Sequence, residues 1–398
     1  MTMNPELSRV SQEQVTSGLF ELNVVTSMQE VDPGELGLEP KEAPARIAVV
    51  DTFDPYLARL PEITHQQVYA TEARYDDFAR TRREQGMWKR LPRKAYVDTL
   101  GQSQQDTRGQ WGDPVSKTLF YEEIDSEAWR VWDSLLPSAS ALAFASDPES
   151  IRTITDRSGV EHVIDPTMQA WLTAATDPRG IRSRGSVMAH LAREYVLSSS
   201  VNKDDVRWLS VACGTALPAM QGAMMAGIHP KLNLLDQDLS AMSSTRDLAQ
   251  QIGFEGEITM ETKRSRTGEE RGYDIFNHAE MREYIDELTR ENRQPDLVDA
   301  MGIFEYTGPL LRVDSSQFLR DCYDVLKPGG RLLFGQMRSD RPRSDFLMGV
   351  LGWPYVQQRS LQELMQVVVK ADINPQEASI YLPADGVYMV ATIDKPLA

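Results

Sequence analysis

The sequence predicts an α/β fold built on a mostly parallel sheet, on three observations. From about residue 180, short apolar strands alternate with helical segments; the first of these strands ends in the small-residue loop Ala212-Cys-Gly-Thr-Ala216, which opens directly into a helix; and the chain closes with two strands joined by Pro383-Ala-Asp-Gly386. Such a sheet collects its strand ends along one carboxyl edge, where ligands bind.

The elements follow in order. Residues 206–212 form a short apolar strand, and 217–227 a helix with Pro218 in its first turn and Gly227 at its end. "KLNLLD" is strand two, "LSAMSSTRDLAQQIG" a helix closed by Gly253, and residues 257–260 strand three. The polar "ETKRSRTGEERG" reads as a loop before a helix at 279–292. Strand four spans 295–304, entered through Pro295; the next helix stops at Lys327-Pro-Gly-Gly330, where proline cannot continue it and glycine supplies the turn. "RLLFGQM" is strand five. Ser360 and Glu363 make a capping box for a helix whose Leu361, Leu364, Met365 and Val368 share one face, and the terminal hairpin follows.

The N-terminal part is less regular. Residues 1–45 are rich in Glu, Pro and Gly near their end and read as a flexible arm; 46–178 are mixed, with helix-like stretches around Trp129, Trp132 and Leu135, and read as an accessory or substrate region; 179–398 carry the α/β domain.

Composition narrows the class. With 398 residues, 41% hydrophobic, the chain is ample for a conventional core, and a net charge of −17 disfavours a surface that grips nucleic acid or an anionic membrane. Two cysteines, Cys213 and Cys322, have no zinc-site spacing and predict neither metal nor disulfide. The N-terminus lacks a basic segment followed by an apolar one, and no long apolar run occurs, so a soluble cytoplasmic chain without membrane contact is expected. The basic stretch 80–94 holds seven Lys/Arg against one Glu and reads as an internal or intersubunit electrostatic contact, which admits a homo-oligomer.

Ala212, Gly214 and Ala216 occupy alternate positions of a strand-to-helix turn, so a ligand can approach backbone N–H groups beside the positive helix end. Asp236 closes strand two, 22 residues after Gly214, where its side chain can accept from both ribose hydroxyls of an adenosine; Asp238 is the alternative.

These residues resemble the class I S-adenosylmethionine-dependent methyltransferases. The resemblance covers about residues 180–395 and rests on "WLSVACGTA", "LLDQD" and "VLKPGGRLLFGQM". A narrower likeness, to a bacterial subgroup with LSxACGxA and GLFDYL-like motifs, rests on "LSVACGTA", on Gly302-Ile-Phe-Glu-Tyr306, and on Trp353 with Arg359-Ser360. The resemblance implies a Rossmann-like sheet, mostly parallel with a terminal antiparallel hairpin. It implies S-adenosylmethionine as the cofactor, with Ala212, Cys213, Gly214 and Ala216 against its methionine part and Asp236 and Gln237 at the ribose. Met301 and Arg184 would complete that site, Arg184 or Arg182 taking the methionine carboxylate, and Asn277, or else Asp274, would meet the adenine. The acidic residue usual early in the first motif is Ser210 here.

Methyl transfer from a sulfonium is an in-line displacement, so the protein chiefly aligns donor and acceptor and excludes water. Glu305 and Tyr306, following strand four, are the candidates for catalysis on the acceptor side; a carboxylate acceptor needs no general base, a hydroxyl does. The expected activity is methylation of a small molecule at oxygen. Another transfer from the same donor, or a non-catalytic interaction protein on this fold, are the alternatives, the second suggested by alanine at 212 and 216, where an adenosyl loop more often carries glycine. "NPPY" is absent after strand four, which disfavours a nucleic-acid acceptor.

Overall fold

The computed structural model describes residues 24–89, 112–136, 139–149, 152–156, 158–199, 201–237, 239–265, 267–309, 312–353 and 356–397. Asp238 and the part of the basic stretch beyond residue 89 lie outside them.

Hydrophobic alternation places the sheet at the centre. Five parallel strands, β5 (Arg207–Val211), β6 (Lys231–Leu235), β7 (Glu257–Met260), β10 (Leu297–Ala300) and β11 (Arg331–Met337), stand in the order β11-β10-β5-β6-β7. Beside β11, β13 (Tyr388–Asp394) runs antiparallel, and β12 (Ala378–Pro383) pairs antiparallel with β13. Residues assigned by sequence to the arm and the accessory region extend this edge: β2 (Arg46–Phe53) pairs parallel with β12, and β1 (Val24–Glu30) antiparallel with β2, giving nine strands.

Strand four is shorter than the sequence suggests. It ends at Ala300, because Gly302 turns the chain at φ 84° into a 3-10 turn, Phe304–Tyr306. The polar segment after β7 is also more ordered than a loop. It forms the hairpin of β8 (Thr262–Arg264) and β9 (Glu270–Gly272), with Thr262 donating to Glu270 across it.

Successive residues of each strand serve opposite faces. Leu209, Val298 and Leu332 pack against α10 (His278–Arg290), α11 (Ser315–Asp324) and α12 (Leu361–Lys370), while Trp208, Leu297 and Leu333 pack against α7 (Thr176–Ser198) and α8 (Leu217–Ala226). The α12 capping box forms as its sequence predicts, and Asp314 caps α11 through the amides of Ser316 and Gln317. No helix among the described residues is long and apolar enough to cross a membrane.

A third apolar core covers the carboxyl edge. Phe120, Trp129, Trp132 and Trp171, from N-terminal helices, meet Phe346, Met337 and Tyr388 from the sheet side, and Trp171 stacks on Phe346 with ring centroids 5.8 Å apart. Asp76 of α2 (Glu62–Glu84) fixes the Phe346 amide at 2.8 Å. Glu72, one turn earlier, caps α7 from another element: its carboxyl accepts from the Thr176 amide at 3.1 Å and from the Thr176 hydroxyl at 2.7 Å. The start of α7 has no cap from its own neighbouring residue.

Burial pushes the fully enclosed Glu72 carboxyl up to about 7 from an ordinary 4.5, against the opposing pull of the Thr176 hydrogen bonds. The folded state then holds a proton that the unfolded chain has released, so this group's contribution is complete below pH 4.5 and is lost as pH rises through 7. Urea denaturation should show Glu72→Gln, which keeps the acceptor oxygen and cannot ionise, gaining more than about 1 kcal/mol relative to wild type between acidic and alkaline pH. A gap that does not change with pH would mean that Glu72 titrates normally in the fold.

Candidate functional site

The loop between β5 and α8 is held in an unusual backbone shape. Ala212, Gly214 and Ala216 all take left-handed conformations, with φ of 51°, 51° and 49°. For each alanine this costs on the order of 1 kcal/mol, which the surroundings must hold in place. They do so through Ala212 N donating to Leu235 O at 2.7 Å, Ala216 N to Cys213 O at 2.6 Å, and the Thr245 hydroxyl to Gly214 O at 3.2 Å. Both alanines thus take the left-handed backbone that glycine adopts most readily.

Asp236 ties this loop to the next strand. Its Oδ2 accepts from the Gly214 amide at 3.1 Å, with Cys213 Sγ 3.9 Å away. Burial, reinforced by the Asp236 charge, pushes the Cys213 thiol up, so Cys213 is protonated at neutral pH. Gln237 follows, exposed. The base of the β8–β9 hairpin lies directly on this corner: a Cβ at Gly272 would fall 1.9 Å from Asp236 O and 2.8 Å from Gln237 Cα.

Two of the expected contacts have other work. Asn277 is the N-cap of α10, its Oδ1 accepting from the Ala279 and Glu280 amides, so that oxygen is committed to the helix. Asp274 is exposed and accepts from the Phe276 amide. Arg182 is buried away from the loop, bound to Asp54 Oδ2 at 2.7 Å and to the carbonyls of Ala145, Leu172 and Thr173. It joins α7 to the N-terminal region. Half-buried Phe276, which sequence reading passed over, packs on the same core as Ala212 and Ile303 and stands 5.7 Å from Phe318. Its signal was an aromatic in an otherwise polar segment.

Arg184, Met301 and Glu305 do converge. Arg184 lies across the glycines of the edge: a Cβ on Gly302 would sit 3.1 Å from its Nη2, and one on Gly335 2.9 Å from its Cδ and 3.4 Å from Met301 Cε. Its guanidinium covers the Tyr388 ring at 4.3 Å, and Nη1 reaches Glu305 Oε1 at 3.4 Å. Glu305 is 2% exposed, and its Oε2 has no hydrogen-bond partner among the described residues. Burial holds this carboxyl above its ordinary range, with Arg184 pulling the other way.

One guanidinium fixes the turn that carries Glu305. Arg359 donates to the carbonyls of Phe304 and Thr307 at 3.1 and 2.8 Å, to Ser315 Oγ at 2.7 Å, and to Gln336 Oε1. Tyr306 Oη accepts from Trp353 Nε1 at 2.9 Å. The tryptophan and arginine noted in the sequence thus both brace the segment after β10.

Ser210 also has a specific partner. Its hydroxyl donates to Asp299 Oδ1 at 3.0 Å, and Trp208 Nε1 donates to Asp299 Oδ2 at 2.8 Å, across the β5–β10 pairing. Among the described residues, no group of three or more His, Cys, Asp or Glu side chains is placed to hold a metal ion.

No family model matches the chain, and no curated protein matches it. Solved structures similar to it include a possible exported protein from Bordetella parapertussis, 14% identical over 85% of this chain and 99% of that one, with a TM-score of 0.52. The CurJ carbon methyltransferase is 13% identical over 86% and 95% of the two chains, with a TM-score of 0.43. An O-methyltransferase family protein from Burkholderia thailandensis is 12% identical over 71% and 73%, with a TM-score of 0.40. At these identities the likeness is one of fold.

The Gly272 contact yields a test. Gly272→Ala must displace the corner at Asp236, since a backbone carbonyl occupies the methyl position, and should cost more than about 1 kcal/mol in chemical denaturation. An unchanged denaturation midpoint would show that the hairpin base does not press on Asp236.

Proposed function

We propose that the chain is an S-adenosylmethionine-dependent methyltransferase acting on a small molecule at oxygen. The observation that carries this reading is the link between Gly214 and Asp236, which sets a left-handed small-residue loop and an acidic strand end side by side at the carboxyl edge of a parallel sheet. The antiparallel β13 inside that sheet favours this class over nicotinamide-binding folds, whose strands are all parallel.

The residues present fit the donor. Loop amides and the start of α8 offer a polar cradle, Asp236 an acceptor for ribose hydroxyls, and Arg184 a cation for a carboxylate. When bound, the donor supplies an electrophilic methyl group on sulfonium sulfur. The chain's own part is alignment and proton handling: Arg359 holds the Glu305 turn in place, and the third core keeps bulk water from the edge. The unpartnered Oε2 of Glu305, on a carboxyl whose raised affinity for protons suits a general base, favours a hydroxyl acceptor, whose proton Glu305 would take.

Titration calorimetry with S-adenosylmethionine and S-adenosylhomocysteine tests the donor reading; absence of heat with either at high protein concentration would overturn it. Asp236→Ala should weaken both ligands by about tenfold or more, equivalent to at least one charge-assisted hydrogen bond. For the acceptor side, a screen of small alcohols and phenols with labelled methyl donor identifies a substrate. Glu305→Gln should then lower kcat by about a hundredfold or more while S-adenosylhomocysteine affinity stays within about twofold. A parallel loss of S-adenosylhomocysteine binding would instead assign Glu305 to the donor site.

A further inference from the structure

Asp299 is a carboxylate in the middle of the sheet with no cation. It stands opposite Ser210 in the β5–β10 register, is 4% exposed, and is held by two neutral donors, Trp208 Nε1 and Ser210 Oγ. Among the described residues no Lys, Arg or His pairs with it. Removing a carboxylate from water without a counter-charge costs several kcal/mol even after relaxation. Burial accordingly pushes this carboxyl up to about 7 from 3.8, and the two hydrogen bonds only partly offset the push. An amide could accept from the indole N–H and donate to the Ser210 oxygen, with the hydroxyl turned round, so what Asp299 adds over an amide is charge.

The position says where that charge acts. Side chains two apart on a strand share a face, so Asp299 lies on the face that Leu297 and Met301 give to the α7 and α8 core, beside Ser210 and two residues short of the point where β5 passes into the loop. Arg184 and Glu305 close the edge beyond Met301, and their charges pair with each other. The Asp299 charge is felt at the loop: burial chiefly raises the Cys213 and Cys322 thiols, the neighbouring Asp236 and Asp321 add to it, and Asp299 makes a smaller contribution to both. Both thiols stay neutral. A cation bound beside the loop would find in Asp299 a carboxylate that no Lys, Arg or His among the described residues balances.

We infer that Asp299 is the counter-charge for the ammonium group of the bound donor, supplying from β10 the negative charge that Ser210 does not supply from β5. The inference rests on the donor reading above. Ser210 and Trp208 fix the carboxylate's orientation, and the ligand's cation would pair with it.

Proton release on binding tests it with the wild-type full-length chain. Binding is measured by calorimetry at pH 7 in two buffers of different ionisation enthalpy, with S-adenosylhomocysteine, which carries the ammonium, and 5′-methylthioadenosine, which lacks it. The ammonium should drive Asp299 to its charged form, so S-adenosylhomocysteine should release about half a proton and methylthioadenosine none. Asp299→Asn should abolish the release and weaken S-adenosylhomocysteine by about tenfold or more, with methylthioadenosine affinity within about twofold; loss of the release in this variant separates Asp299 from Glu305, the other raised carboxyl near the edge. Equal release with both ligands, or no release, overturns the inference even if the variant fails to fold, as does an equal loss of affinity for both ligands in the variant. If wild type binds neither ligand, the donor reading itself falls and takes this inference with it.

Discussion

The buried guanidinium of Arg182 is the contact on which the rest of the arrangement depends. It gathers Asp54 from the end of the extra strands and three carbonyls from the N-terminal helices onto α7, the helix that crosses the sheet. A charge so enclosed is tolerable because its N–H groups meet carbonyl oxygens and the Asp54 carboxylate balances it. The same helix carries Arg184 half a turn further on, so the contact that joins the two halves also aims a cation at the carboxyl edge. Glu72, capping the start of α7 from α2, adds a second tie at the same junction.

Polar groups hidden from water recur throughout the site and divide into two kinds. Arg359 and Arg182 are saturated by carbonyls and hydroxyls, and such networks rigidify. Glu305 and Asp299 are incompletely balanced, one with an oxygen lacking a partner and the other without a cation. Stability alone would favour replacing both by amides or apolar residues. They flank Met301 along the chain, and the surrounding packing carries the cost of burying them.

The α/β half was legible because its signals are local. Pro218 and Gly227 bound α8, Ser360 and Glu363 cap α12, and Lys327-Pro-Gly-Gly330 stops the chain before β11, each through backbone chemistry that acts within a few residues. What escaped the sequence is non-local. Nothing in "RIAVVDTF" specifies β12 as its partner, although its alternation fits a strand. Asn277 and Arg182 carry the right chemistry for a ligand and spend it on a helix end and a domain junction, which only their neighbours decide. Asp299 was hidden inside an apolar strand, and its meaning appears only once Ser210 is found opposite it. Nor does the sequence tell that Ala212 and Ala216 take left-handed backbone, which hydrogen bonds hold in place.

The Arg359 clamp grips main-chain oxygens of Phe304 and Thr307, and the side chains between them take no part in those two bonds. The geometry of the turn is thereby separated from the identity of its residues. Tyr306 and Ile303 are exceptions, the one held by Trp353 and the other packed on the core. At 305 the side chain can change while the clamp keeps the backbone path, so a lineage of such chains can vary the chemistry of this turn without rebuilding the sheet beneath it.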